Sequence, residues 1–288
     1  MAKPSIDLLE TPTSTTLEFD GNTLWTLVHD PAQGKPYIHP LASTAGLVFT
    51  DLRPDDHPWH RGVWFSWKYI NGINYWEEDR ATGKSKGETR LLQTVVYEQD
   101  TGVSFDIDLA YTPKPGSDEF VLREQRTLHI SHPDDNGVYT ILWSSTFTAQ
   151  DQDVRLDRTP IPGEPNGKKY GGYAGLSVRM NSEVLRGRFT NSEEQVDRDR
   201  EAARWQIYQT PQGGSLLFMD HPDNLNAPAK WYLAKGMPYF SPAVIHEGPH
   251  TLKAHKTLEL KYALAVYPGN LSLDAAGEFW GTWVDSSN

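Results

Sequence analysis

Within Asp55-Asp56-His57-Pro58-Trp59-His60-Arg61-Gly62-Val63-Trp64 the chain gathers two acids, two imidazoles, a guanidinium and two indoles. These are the groups needed to move protons, hold a developing oxyanion and stack against the apolar face of a sugar ring. Pro58 and Gly62 imply a fixed bend that aims side chains where a regular strand would not. Asn71-Gly72-Ile73-Asn74-Tyr75-Trp76-Glu77-Glu78 follows closely and adds a third indole. On this reading His57 and His60 are catalytic candidates, Arg61 holds a substrate oxygen, and Trp59, Trp64 and Trp76 stack the ring. The His57/His60 spacing also suits a divalent metal. Closing such a site needs Asp55, Glu77 or His221, and nothing in the spacing selects among them. The expectation is therefore no cofactor, with a metal at this pair as the alternative.

A second cluster, Asp220-His221-Pro222-Asp223-Asn224, lies where a strand-like run ends, a position suited to face a cleft. It makes His221 a further catalytic candidate and Asp220 and Asn224 substrate contacts. The competing reading is an Asx-turn in which Asp220 or Asn224 bonds local backbone. In the third cluster Glu247 beside His246 is a candidate general base, because a partly buried carboxylate among aromatics has a raised pKa. An exposed loop acid there would mean nothing. Arg179 is one of several scattered cations able to bind a substrate carboxylate or hydroxyl, although most such groups are solvated. The sequence contains no Gly-x-Ser-x-Gly elbow and no His-Glu-x-x-His pair, against serine-hydrolase and zincin chemistry.

The elements that must position these residues read as strands. Val103, Phe105, Ile107, Leu109 and Tyr111 alternate with Ser104, Asp106, Asp108 and Ala110, the period of a half-buried strand. Further strands are predicted over 15–19, 23–29, 89–98, 103–111, 120–130, 138–148, 176–180, 203–209, 216–220 and 258–267, separated by Gly, Asn and Asp turn signals. Only 272–284 reads as a helix, with Asp274 as its cap, and a closing strand and turn would fit the same residues. The Pro-rich stretches 151–172 and 221–242 are expected to be long functional loops. The fold class is all-β, a large antiparallel β-sandwich, and the whole chain is expected to form one domain.

Composition narrows the function further. A net charge of -11 over 288 residues, with no basic run, disfavours nucleic acid and anionic membrane as partners. Cysteine is absent, which removes disulfide, thiolate and Cys-ligated metal chemistry. No apolar stretch reaches the length of about 18 residues that a span requires, and Met1 to Asp7 has no leader-like core. A cytoplasmic protein is expected, or one whose secretion signal has been removed. Aromatic residues reach 11%, with 10 Trp and 13 Tyr, which suits both strand packing and sugar stacking.

Several of these segments together resemble a bacterial family of unknown function often labelled methane oxygenase PmoA. The resemblance rests on Lys35 to Leu41, which brings His39 among the substrate-binding candidates, on Asp56 to Trp64 with Gly72 to Trp76, on Asp220 to Asn224, and on 239–242 and 251–269. The label misleads, since a methane monooxygenase subunit is a membrane protein. The resemblance implies a sandwich of the galactose-mutarotase type with a sugar cleft faced by His57, His60, Arg61 and His221. Relatives commonly carry Glu-Gly-Gly where this chain has Tyr170-Gly171-Gly172. The function expected is acid/base chemistry on a sugar or glycoside, by epimerisation or by cleavage of a glycosidic bond. The alternatives are a non-catalytic carbohydrate-binding protein and a metal-dependent oxygenase or isomerase.

Overall fold

Alternation of period two along the longer runs becomes two eight-stranded antiparallel sheets in the computed structural model, which describes residues 4–184 and 186–287. The first sheet runs β1 (Ile6–Thr11), β2 (Ser14–Phe19), β3 (Asn22–Val28), β4 (Tyr37–Leu41), β5 (Val63–Ser66), β13 (Gly175–Arg179), β18 (Tyr239–Pro242), β17 (Trp231–Ala234). The second runs β14 (Arg188–Asn191), β15 (Trp205–Gln209), β16 (Ser215–Asp220), β20 (Thr257–Tyr267), β11 (Tyr139–Ala149), β10 (Leu122–Ser131), β9 (Gly102–Thr112), β8 (Glu88–Gln99). A small third sheet joins β19 (His250–Leu252), β12 (Val154–Asp157), β6 (Tyr69–Ile70) and β7 (Ile73–Asn74).

One apolar core draws on both large sheets. Trp25, Ile38, Val63, Phe65, Leu176, Val178 and Phe240 enter it from the first, and Phe105, Ile107, Leu128, Ile141, Phe147, Leu260 and Leu264 from the second. Burial of this apolar area is the main force holding the sheets face to face. Inside the sandwich, Glu124 accepts from Arg126 Nε at 2.8 Å, Ser145 Oγ at 2.7 Å and Tyr111 Oη at 2.5 Å. The Arg126 guanidinium lies over the Trp143 ring at 4.5 Å. A buried ion pair is tolerated only when saturated by such partners.

The predicted strands are present with ends shifted by a residue or two, which is the ordinary fraying of element boundaries. The helix α1 spans Leu273–Ser286 and packs Ala276 and Trp283 onto Trp205, Ile207, Leu217 and Ala263 on the outer face of the second sheet. Its cap is Ser272, not Asp274: Ser272 is extended and its Oγ accepts from Ala275 N at 3.2 Å. Asp274 falls in the first turn, where a negative charge still suits the helix dipole. Neither Pro-rich stretch is wholly loop. Within 151–172, Val154–Asp157 is a strand paired with β6 and β19, and 221–242 contains all of β17 and β18, whose prolines sit at or beyond the strand ends.

The interleaved positions of the first sheet position the site. Ile38, Val63, Phe65, Leu176, Val178, Leu233 and Phe240 point into the core, so Tyr37, Trp64, Tyr232 and Tyr239 point the opposite way. They form a separate aromatic cluster with Trp59, Trp76 and Tyr173.

Candidate active site

The chain between β4 and β5 returns as a bend sewn to β13: Gly62 N donates to Asp51 O at 2.9 Å and Arg179 N to Gly62 O at 2.8 Å. Gly62 adopts φ +66, and a Cβ there would meet the Ile38 carbonyl oxygen at 2.3 Å. No other residue fits this corner without displacing β4. Two turn bonds, His57 N to Pro54 O at 3.0 Å and His60 N to His57 O at 2.9 Å, then fold the bend so that both imidazoles lie over the aromatic cluster.

A cavity of about 530 Å³ opens there. His57, Trp59, His60, Trp76, Glu77, Tyr173, Tyr232, Met237 and Tyr239 line it, together with the exposed Tyr170. His60 lies between His57, at 4.7 Å and 24°, and Tyr239, at 5.3 Å and 27°. Trp64 supports His60 from 5.0 Å. Burial, with the nearby charges of His57 and Arg179, holds His60 well below the usual histidine range, so it is neutral at pH 7.

His57 is held differently. Its Nδ1 lies 3.0 Å from Asp56 Oδ2, and Arg179 Nη2 donates to Asp56 Oδ1 at 2.9 Å and Oδ2 at 3.1 Å. Partial burial pushes the Asp56 carboxyl up, but the hydrogen bonds from His57 and Arg179 outweigh it and hold the group below its ordinary value. An ionised carboxylate can only accept, so Nδ1 donates to Asp56 and Nε2 is the nitrogen left for a ligand.

Across the cavity, Glu77 is held by Lys68 Nζ and by Asn74 Nδ2 at 2.5 Å, and Tyr173 Oη reaches Glu77 Oε1 at 3.5 Å. Burial raises the Glu77 carboxyl, but Lys68 and Asn74 bring it below its usual range. Burial also lowers Lys68, whose Nζ lies 3.3 Å from Tyr173 Oη. The hollow thus contains a carboxylate kept ionised, an imidazole with an open nitrogen, and a phenol that burial keeps protonated.

The structure brings together His57, His60, Trp59 and Trp76 at the cavity, with Trp64 beneath them and Arg179 behind Asp56. The remaining candidates lie elsewhere. Arg61 is buried, donating to Gln33 O, Lys35 O and Glu78. His39 bonds Thr50 Oγ1 at 3.1 Å. His221 is fully buried against Trp283 of α1, with ring centroids 5.2 Å apart, so the three imidazoles do not share one hollow. Asp220 accepts from Asn224 Nδ2 at 2.7 Å and Ala229 N at 2.9 Å, while Asn224 clasps the Lys261 backbone, so the side chains of this cluster tie distant backbone together and form neither a ligand site nor a local Asx-turn. Glu247 is exposed and paired with Lys230 at 2.6 Å, a bond that lowers its pKa, whereas a general base here required a raised one. Among the described residues no group of three or more His, Asp or Glu is arranged to hold a metal ion. The stacked rings of His57 and His60 lie side by side and do not converge on a point between them.

Sequence reading had treated Glu77 only as a metal ligand, and it passed over Lys68, Tyr173 and Met237. Tyr232 and Tyr239 stood in segments whose prolines masked the alternation of β17 and β18.

Over residues 14–281 the sequence matches the model of DUF6807, described as a family of unknown function. The chain belongs to that family. Its description carries neither an activity nor the PmoA-like label. No curated protein matches the sequence of this DUF6807 member. Among solved structures, it is similar to a putative aldose 1-epimerase from Escherichia coli K12, at 11% identity and TM-score 0.39, over 92% of this chain and 99% of that one. A family 97 glycoside hydrolase from Pseudoalteromonas sp. strain K8 aligns at 7% identity and TM-score 0.39, over 91% of this chain and 33% of that one. A galactose mutarotase related enzyme from Lactobacillus acidophilus aligns at 10% identity and TM-score 0.27, over 93% of this chain and 100% of that one. At such identities and scores the likeness says nothing about the chemistry of the cavity. No helix among the described residues is long and apolar enough to cross a membrane.

Proposed function

We propose that the aromatic hollow takes a sugar or glycoside and that His57 moves a proton on it. The observation that carries this reading is the joint placement of an Asp56-tethered imidazole and an ionised Glu77 in one cavity walled by indole and phenol rings. Aromatic faces suit the C–H surface of a pyranose, and the carboxylate suits its hydroxyls. His57 Nε2 takes a hydroxyl proton, and the adjacent Asp56 stabilises the imidazolium that results. Tyr173, coupled to Lys68, offers a proton to the oxygen that becomes negative. Glu77 is already ionised and is a weak base, so it orients hydroxyls. Opening of a hemiacetal ring, epimerisation and glycosidic cleavage all require this pairing of acceptor and donor.

A second reading, binding without turnover, is favoured by the way Lys68, Asn74 and Tyr173 already occupy Glu77. One experiment separates the two. The protein is screened by thermal shift against mono- and disaccharides, oxidised sugars included, and each ligand that stabilises it is followed by NMR for conversion. The expected result is conversion that falls about 10²-fold or more in His57→Ala, with binding changed only a few-fold. Full turnover in His57→Ala would remove His57 from the chemistry. A stabilising sugar that stays unconverted by the unmutated protein would establish the binding reading.

A further inference from the structure

Behind the bend that supplies the two histidines lies a second cavity, of about 290 Å³, walled by the segment 31–35, by Arg53, Arg61 and Glu78, and by 82–89. Its wall is polar and unbalanced in charge. Lys35, Arg53 and Arg61 share the single carboxylate of Glu78, at 3.4, 3.0 and 2.6 Å. Lys35 and Arg61 are 4% and 2% exposed, and the other wall acid, Glu88, is paired with Arg90 at 2.8 Å. Lys84 also lines the wall, so four cations stand against two carboxylates and two positive charges are left over; the Arg53 side chain is 35% exposed, but Lys35 and Arg61 are desolvated, where unpaired charge is costly.

Two residues of the wall also have a buried polar atom left over. Arg61 Nε and Thr89 Oγ1 are buried and, among the described residues, without a hydrogen-bond partner. Buried polar atoms of this kind call for an unseen partner. We propose that this cavity binds a dianionic phosphate group, free or attached to a small molecule, at a site separate from the aromatic hollow. Two surplus charges match a dianion, and a tetrahedral oxyanion can accept from a guanidinium, an ammonium and hydroxyls arriving from different directions. Burial, with Arg61 close by, also brings the Lys35 ammonium down to about 8, despite its contact with Glu78. A bound anion would reverse that effect.

Isothermal titration of the full chain tests the site, using inorganic phosphate and glucose 6-phosphate at constant ionic strength set with chloride. Saturable binding with a stoichiometry of one is expected. Arg53→Gln should weaken it about tenfold, and the isosteric Thr89→Val a few-fold. His57→Ala should leave phosphate binding unchanged even if the sugar reading fails, since that residue lines only the other cavity. Tighter binding of glucose 6-phosphate than of phosphate would assign a phosphorylated metabolite as the ligand, and equal binding the free ion. No saturable heat, or affinity unchanged in both Arg53→Gln and Thr89→Val with folding verified by circular dichroism, would overturn the proposal. Thr89→Val removes only a hydroxyl and keeps the test valid should Arg53→Gln fail to fold.

Discussion

His57 is oriented by Asp56, and Asp56 is held below its ordinary range by His57 and by Arg179. Asp56→Asn replaces an acceptor-only group with an amide, which no longer fixes the imidazole tautomer or stabilises its protonated form. Turnover of the sugar found for the hollow is expected to fall about 10²-fold with KM nearly unchanged, measured as a split of kcat from KM at pH 7. A matching loss in KM alone would make Asp56 a binding group instead. Part of this arrangement was legible in the sequence, because residue types at adjacent positions announce an acid, an imidazole and an indole together. What adjacency does not announce is direction. Arg61, one residue beyond His60, points to the opposite side of the bend and is consumed by Glu78 and two carbonyls. The state of Glu247 was equally unreadable, since exposure and the Lys230 partner arise only from packing.

At the level of elements, the end of β16 is fastened to β20 through Asp220 and Asn224 rather than opened toward a ligand. Burial raises the Asp220 carboxyl to about 6, against the hydrogen bonds from Ala229 N and Asn224. A raised carboxyl contributes stability that is complete below its ordinary value of 3.8 and is lost as pH climbs to about 6. The stability advantage of the unmutated protein over Asp220→Asn should therefore shrink by about 2–3 kcal/mol between about pH 4 and pH 7, read from urea unfolding. A constant difference would mean that the carboxyl is not perturbed. The long strands were readable because a two-sided sheet writes alternation into many consecutive residues, as in the 11 of Gly102–Thr112. The four-residue strands β17 and β18 were not, since the prolines at 228, 238 and 242 around them mimic loop composition and four positions hold too little pattern.

Across the whole molecule, the sandwich carries its ionic centre at Glu124 and Arg126, both essentially unexposed. Glu124→Ala leaves the Arg126 charge unpaired and strands the donors of Tyr111 and Ser145, so unfolding by urea should show a loss of about 3–5 kcal/mol. Replacing both partners, Glu124→Leu with Arg126→Met, should cost markedly less. Neither change touches the hollow, and the folded fraction should keep its ligand affinity. The reason lies in how the first sheet divides its labour. Along β17 and β18, Leu233 and Phe240 belong to the interior while their neighbours Tyr232 and Tyr239 line the hollow, and Tyr37 of β4 and Trp64 of β5 join the same outer aromatic cluster. Each strand is thus a two-track tape, with one track fixed by folding and the other free to be rewritten. A set of variants confined to Tyr232 and Tyr239 would explore new ligands on an unchanged scaffold.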